Sequence, residues 1–347
     1  MTIETPDFLS DLSALRRLIP EPPQRVVAKI VRDVDEDAGS WIAASALVGV
    51  AVRSATGLAV GALVGDGSEA PAARIDDRCL QLAAAGWIGV DPAACRAGDR
   101  VGLLFLRAGE GTCLRVNGSI VAEAAMDTEP PLTIAVEEVF VHCPKAVVRS
   151  NLWQSRPNPL SDLEEDEGPT LGPASLAFLD GAPFALLATA SDAGADLSPR
   201  GDPPGFVHAL DERTLLMPDR PGNRIADSFR NVLVDPRIGL LFLVPGSARA
   251  LALHGRARLT EDPSLLAPLA VRDRPPKLAT WIDLESVRLL TIEDRARSLW
   301  EMAERTSALP TAGELLVRQI EPKGRFQKAK GKMVDWMLAR DARKNLY

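Results

Sequence analysis

The pentapeptide Gly-Leu-Leu-Phe-Leu occurs twice, at residues 102–106 and at 239–243, an offset of 137 residues (239 − 102). A self-match at a fixed period constrains architecture more than any local propensity, so it is followed first. At the same offset Arg100-Val101 precedes one copy and Arg237-Ile238 the other. Upstream, Val50–Gly57 matches Leu187–Gly194. Downstream, Val116-Asn117-Gly118 matches Leu253-His254-Gly255. Further on the register drifts by ten residues, and Leu152-Trp153 pairs with Leu299-Trp300 (300 − 153 = 147), as a short insertion would produce. The period is too long for a solenoid unit and fits a small domain, so the chain reads as a tandem duplication.

A length of 347 residues accommodates two such cores. A net charge of −7 argues against general nucleic-acid binding, which requires a basic footprint. No apolar run is long enough for a membrane span, and the first residues carry no basic-then-apolar leader, so a cytoplasmic location is expected. Cys79, Cys95, Cys113 and Cys143 are widely spaced without a CxxC, which fits free thiols rather than disulfides or zinc. Histidines 142, 208 and 254 form no metal-ligand spacing, and no metal is expected.

Residues 8–19 and 22–37 read as helices, the second from the spacing of Val26, Val27, Ile30, Val31 and Val34. From about 46 to 150 short β-rich runs alternate with turn residues: Ala46–Val52, Val101–Leu106 and Leu132–Val141. Residues 155–173 read as a solvated acidic and proline-containing linker. The β pattern then returns in Phe184–Ala190, Thr214–Met217, Ile238–Val244, Ala250–Leu259 and Ser286–Ile292. Residues 295–306 and 312–340 read as helical, the latter broken near Pro322–Gly324. Helices flank the strands rather than alternate with them, and no GxGxxG follows a strand. The expected class is mainly β with flanking helices, an antiparallel barrel or sandwich in each half. The expected units are 1–154, the linker 155–173, 174–307 and a helical tail 308–347.

The second copy contains Ser198-Pro199-Arg200-Gly201-Asp202-Pro203-Pro204-Gly205-Phe206 and then Asp219-Arg220-Pro221-Gly222-Asn223-Arg224, followed by Ser228 and Asn231. Two Gly/Pro-rich loops bearing arginines free backbone N–H groups and fix guanidinium forks, a combination suited to an oxyanion such as phosphate. The alternative is two hairpin turns with solvent-facing arginines. Together with Leu187-Ala188-Thr189-Ala190, these motifs resemble the pyridoxamine 5′-phosphate oxidase-like family of FMN-binding split β-barrels. The first copy supplies the family's other hallmark, Val136–Ala146 with His142-Cys143-Pro144-Lys145, then Arg149-Ser150 and Leu152-Trp153.

The resemblance implies two tandem six-stranded antiparallel split barrels, packed as a dimer would be, with FMN at their interface. It implies that Ser198, Arg200, Gly201, Arg220, Asn223 and Arg224 hold the phosphate and ribityl chain, with Thr189 near the isoalloxazine. Lys145, Arg149 and Trp153 would come from the other barrel. Hydride transfer at flavin N5 on a small organic substrate, with NAD(P)H or dioxygen as the other partner, is the expected chemistry. Deazaflavin F420 in the same fold, or a non-catalytic flavin or haem binder, are the alternatives.

The copies have decayed in complementary ways. At the 137-residue offset, Ser198, Arg200 and Gly201 map to Gly61, Leu63 and Val64, and residues 219–224 map to Leu-Ala-Ala-Ala-Gly-Trp. Conversely Leu284–Ile292 has lost the His-Cys-Pro-Lys segment. If each site takes loops from one barrel and the terminal motif from the other, one site is complete and the second has neither part; if the motifs act within one barrel, neither copy is complete. His142 and Cys143 lie in an apolar run and read as packing residues before catalysts. His208 is a candidate substrate-side group, and His254 a strand or turn residue. The tail residues Lys323, Arg325, Lys328, Lys330 and Lys332 with Trp336 read as a solvated or interdomain face, or one that covers the flavin cleft.

Overall fold

A computed structural model describes residues 7–65, 70–122, 131–154, 159–301, 310–321, 327–344 and 346–347. Lys323 and Arg325 of the tail therefore lie outside the described residues. Three helices, α1 (Leu12–Leu18), α2 (Gln24–Val27) and α3 (Glu36–Ala43), precede a first sheet of eight strands. These are β1 (Leu47–Ser54), β2 (Gly57–Val64), β3 (Ala72–Asp76), β4 (Cys79–Leu82), β5 (Trp87–Ile88), β6 (Arg100–Leu106), β7 (Cys113–Ala122) and β8 (Leu132–His142). Helix α4 (Lys145–Ser150), β9 (Glu167–Gly168) and α5 (Pro173–Gly181) lead to the second sheet. It comprises β10 (Phe184–Ser191), β11 (Gly194–Gly201), β12 (His208–Ala209), β13 (Thr214–Pro218), β14 (Arg237–Leu243), β15 (Arg249–Thr260) and β16 (Ala279–Thr291). Helix α6 (Asp227–Val234) lies between β13 and β14, and α7 (Pro263–Leu266) between β15 and β16; α8 (Glu293–Glu301), α9 (Ala312–Ile320) and α10 (Gln327–Lys344) follow.

The first sheet runs β3-β4-β8-β7-β6-β1-β2-β5 and the second, read in the same sense, β12-β13-β16-β15-β14-β10-β11. Seven strands thus correspond one to one. Three begin 137 residues apart (184 − 47, 194 − 57 and 237 − 100), and β10 pairs with β11 and β14 in the register β1 keeps with β2 and β6. Every strand pairing is antiparallel. The tandem split-barrel fold is present, with short edge strands adding to the six expected per barrel; β9 pairs with β16.

The repeated pentapeptide is apolar throughout because both of its faces are buried. Leu103 and Phe105 enter the core of the first barrel; Leu240 and Phe242 enter that of the second. Leu104, Leu106, Leu241 and Leu243 point the other way, into a third core shared by both barrels. The glycine that opens each copy sits where the other barrel crosses. A Cβ at Gly102 would lie 2.8 Å from Ala195 O, and one at Gly239 would lie 2.8 Å from Val60 Cγ1. The matched Gly118 and Gly255 each follow a register shift in the β7–β8 and β15–β16 ladders, a bulge kept in both copies. Trp153 and Trp300, equivalent in the repeat, pack on each other at 6.4 Å, as residues near a pseudo-two-fold axis do.

Two local expectations change. The helix expected over 22–37 is broken: α2 ends at Val27, Val31 exchanges backbone hydrogen bonds with Val139, and Asp35 caps a new helix by accepting from Ala38 N at 2.8 Å. The cap and the β8 edge offer the backbone better partners than a helix whose Val27 is solvent-exposed. The acidic linker is less detached than expected, since Glu167–Gly168 joins the edge of β16. Glu164, Glu165 and Glu167 remain exposed. All four cysteines are free thiols. Among the described residues no helix is long and apolar enough to cross a membrane.

Candidate functional site

Strand β11 alternates its side chains. Ala195 and Leu197 enter the shared core, so Asp196, Ser198 and Arg200 line the opposite face. Helix α6 covers this polar row: Ser228 Oγ donates to Ser198 Oγ at 3.1 Å, and Asn231 Nδ2 donates to Asp196 Oδ2 at 2.6 Å and to Thr189 Oγ1 at 3.1 Å. The first barrel closes the row from across the interface. Arg115 of β7, 2% exposed, is paired with Asp196 and, at 3.1 Å, with Asp227. A buried guanidinium is tolerated because both partners are carboxylates.

At the Gly201 end of the row the two barrels are in close contact. A Cβ on Gly201 would stand 2.2 Å from Ala146 O of α4. This closeness brings Arg149 from the first barrel onto both loops of the second. Its Nη1 donates to Gly201 O at 3.4 Å, its Nη2 to Pro221 O at 3.0 Å, and its Nε to Leu346 O at 2.9 Å. Arg220 Nε donates to the buried Asp202 at 2.7 Å. Among the described residues Arg200 donates only to the adjacent Pro199 O, at 3.1 Å, and its guanidinium lies 5.5 Å from the Phe229 ring centroid. Burial brings the Arg200 pKa down to about 10, against the pull of Asp219. Burial pushes the Asp219 carboxyl up to about 6, opposed by Arg200 and Arg149. Asn223 Oδ1 accepts from Ile225 N, while its Nδ2 is buried without a partner. The loop is held open by Arg224 and Ala226, both left-handed at φ 65° and 63°, with Arg16 of α1 donating to Arg224 O.

Arg149, Arg200, Gly201 and Arg220 thus converge around Asp219 and the two loops, with Asn223 two residues beyond Pro221 and Lys145 buried at the start of α4. Thr189, expected near the isoalloxazine rather than the phosphate, lies apart from them: it is wholly buried, across the ladder from Asp196, which is four residues along β11 from Arg200, and its Oγ1 accepts from Asn231 Nδ2. Arg224 is exposed. Trp153 donates to Glu110 O at 2.8 Å and packs on Trp300, within the shared core. His142 lies beside the row; burial, with Arg115 and Lys29 next, holds its pKa well below the ordinary value. His208 faces a separate cleft with Asp180, Asp211 and Glu212. His254 lies at the β15 bulge.

Several groups escaped sequence reasoning. Arg115 was legible as a charge in an apolar strand, Leu114-Arg115-Val116, and Asp202 and Asp219 stood inside the quoted motifs. Lys29, whose Nζ donates to Val141 O and whose pKa burial lowers to about 8, carried no signal. Beyond Asp196 the row opens into a cavity of about 450 Å³ lined by Asn117, Glu138, Asp227 and Asn231 among others.

Residues 171–302 match the family model described as pyridoxamine 5′-phosphate oxidase. No curated protein matches the chain. Among solved structures, HupZ of Group A Streptococcus is 15% identical and covers 33% of this chain and 90% of its own, with a TM-score of 0.29. An FAD-binding protein of Mesorhizobium loti is 17% identical over 36% of this chain and 98% of its own (TM-score 0.24). An FMN-binding protein of Syntrophomonas wolfei is 10% identical over 33% and 88% (TM-score 0.24).

Proposed function

We propose that this chain, whose residues 171–302 match the pyridoxamine 5′-phosphate oxidase family model, binds one FMN between its two barrels and acts as a flavin-dependent oxidoreductase on a small organic substrate. One observation carries the reading: Arg149 of the first barrel bonds the carbonyls of Gly201 and Pro221, one in each arginine loop of the second. The two halves of the motif set, separated by the duplication, meet in space at one place.

The residues there fit a phosphate. Among the described residues Arg200 has one side-chain hydrogen bond, to the adjacent Pro199 O, and Asn223 Nδ2 is buried and unpaired. Such donors are costly unless an acceptor arrives, and a phosphate dianion supplies several. On this reading Arg200, Arg220 and Asn223 hold the phosphate, Gly201 lets the barrels approach, and Lys145 and Arg149 add charge from the first barrel. When bound, FMN supplies a hydride acceptor or donor at N5, with NAD(P)H or dioxygen completing the cycle. The chain's part is to bind and orient, to exclude water through the shared core, and to keep a cationic environment that favours an anionic group.

The first repeat lacks the arginine loops, so the stoichiometry is one flavin per chain. The purified protein, or the protein saturated with added FMN, is expected to show an oxidised-flavin spectrum with one equivalent bound. A protein that stays colourless with FMN, or that binds two, contradicts the proposal. Arg200→Ala is expected to weaken FMN binding by roughly tenfold to a hundredfold, the effect of losing a charge-assisted contact of about 1.5–3 kcal/mol.

A further inference from the structure

The arginine cluster already has an occupant. Leu346 O accepts from Arg149 Nε at 2.9 Å, and the Tyr347 ring stands among three guanidinium groups: Arg272 at 5.5 Å, Arg149 at 5.9 Å and Arg220 at 5.9 Å from its centroid. These distances are those of cation–π contact. Burial and the adjacent Asp202 push the Tyr347 phenol up to about 12. Arg272 is presented by a tight turn in which it and Asp273 both take left-handed conformations, φ 52° and 59°, a strained geometry for residues with side chains.

The segment reaches this place from the opposite barrel. Helix α9 is fixed to the first barrel by Gln319 Oε1 accepting from Val141 N at 3.1 Å and by an Arg318–Asp37 ion pair at 2.7 Å. Asp335 of α10 accepts from Gly313 N at 2.7 Å, tying α10 to α9. Residues 346–347 then lie on the loops of the second barrel. A short tether of this kind keeps the segment at high effective concentration over the cluster.

We propose that Leu346-Tyr347 is a built-in competitor of the cofactor, seated on the arginines in the unliganded protein and displaced when the flavin phosphate binds. The inference rests on the flavin reading above. The carbonyl oxygen takes a donor of Arg149 and the aromatic face meets the charge of Arg149 and Arg220, two of the cations that the flavin reading places around the phosphate. Occupancy by the tail therefore subtracts from cofactor affinity. If the tail is seated in about nine molecules of ten, the apparent dissociation constant is about tenfold above the intrinsic one.

The chain has a single tyrosine, so 3-fluorotyrosine labelling places one ¹⁹F reporter at Tyr347. FMN is titrated into the labelled full-length protein and into a variant lacking residues 346–347, with binding followed by flavin fluorescence. The expected result is a ¹⁹F resonance that moves, on FMN binding, to the position seen in denatured protein, and about tenfold tighter FMN binding by the shortened variant. FMN binding that leaves the resonance in place, with equal affinity for both proteins, overturns the inference and leaves the flavin reading standing. Failure of both proteins to bind FMN overturns the flavin reading, and displacement by flavin with it.

Discussion

Gly201→Ala tests whether the closeness of the two barrels, rather than the arginine loops alone, builds the site. The added Cβ would lie 2.2 Å from Ala146 O, 2.9 Å from Ala146 C and 3.1 Å from Ser150 Cβ, all on α4. Ordinary contact begins at 3.4 Å, so β11 and α4 must part by about 1.2 Å (3.4 − 2.2). Helix α4 is not free to slide, because Val147 and the following Leu152 are locked in the shared core. Overpacking of this kind costs about 1–3 kcal/mol. The shift also carries Arg149 beyond hydrogen-bond range of Gly201 O, which it meets at 3.4 Å, and stretches its 3.0 Å contact with Pro221 O. A total loss of about 2–4 kcal/mol in chemical denaturation is expected, with FMN affinity weakened about tenfold or more. Gly205→Ala is the control. It lies in the same motif, and its nearest neighbour is 3.8 Å away, so it incurs only the left-handed backbone cost at φ 80°, about 1–2 kcal/mol. It is expected to lose stability and keep flavin affinity. Equal flavin binding by both variants, or a Gly201→Ala protein as stable as the parent, would refute the reasoning.

Asp196→Ala leaves Arg115 with Asp227 as its remaining ion-pair partner and takes an acceptor from Asn117 and Asn231. Breaking a buried pair in this way is expected to destabilise the protein by about 3–5 kcal/mol, with Arg115→Met in the same background recovering part of the loss in chemical denaturation. Asp219 has its pKa raised by burial to about 6. Between about pH 4 and 6 the native state therefore holds a proton that the unfolded chain releases, so this group favours folding at low pH and loses that contribution as pH rises to about 6. The difference in stability between the parent and Asp219→Asn, measured from pH 4 to pH 7, should shift in favour of the variant as pH rises; a constant difference would contradict the assignment.

The duplication was legible because each strand of the repeat serves two burial demands at once. Leu103 and Phe105 face one core while Leu104 and Leu106 face another, so selection on both faces left an uninterrupted apolar string easy to match across copies. The arginine loops were legible for a different reason. Gly and Pro fix backbone shapes locally, and Arg200 and Arg220 come together beside Asp219 through one hairpin and one loop of the same barrel. Helix boundaries between 22 and 37 were not legible, because the choice was made by a distant partner, Val139 on β8. Nor were the partners of Thr189 and Trp153 legible: Thr189 Oγ1 accepts from Asn231 Nδ2, and the Trp153 ring packs on Trp300.

The sequence by itself determined that there are two related β domains, that one keeps the anion loops and the other the terminal motif, and that nothing in either copy alone makes a whole site. Periodicity, glycine placement and local turn chemistry are properties of the chain in one dimension. Tertiary structure decided which loop meets which helix: Arg149 reaching Gly201 and Pro221, Arg115 buried between Asp196 and Asp227, and Tyr347 arriving among three arginines from the far end of the chain. Those contacts join residues 52 to 198 positions apart, and their energies depend on desolvation and distance, which exist only once both barrels have closed on their shared core.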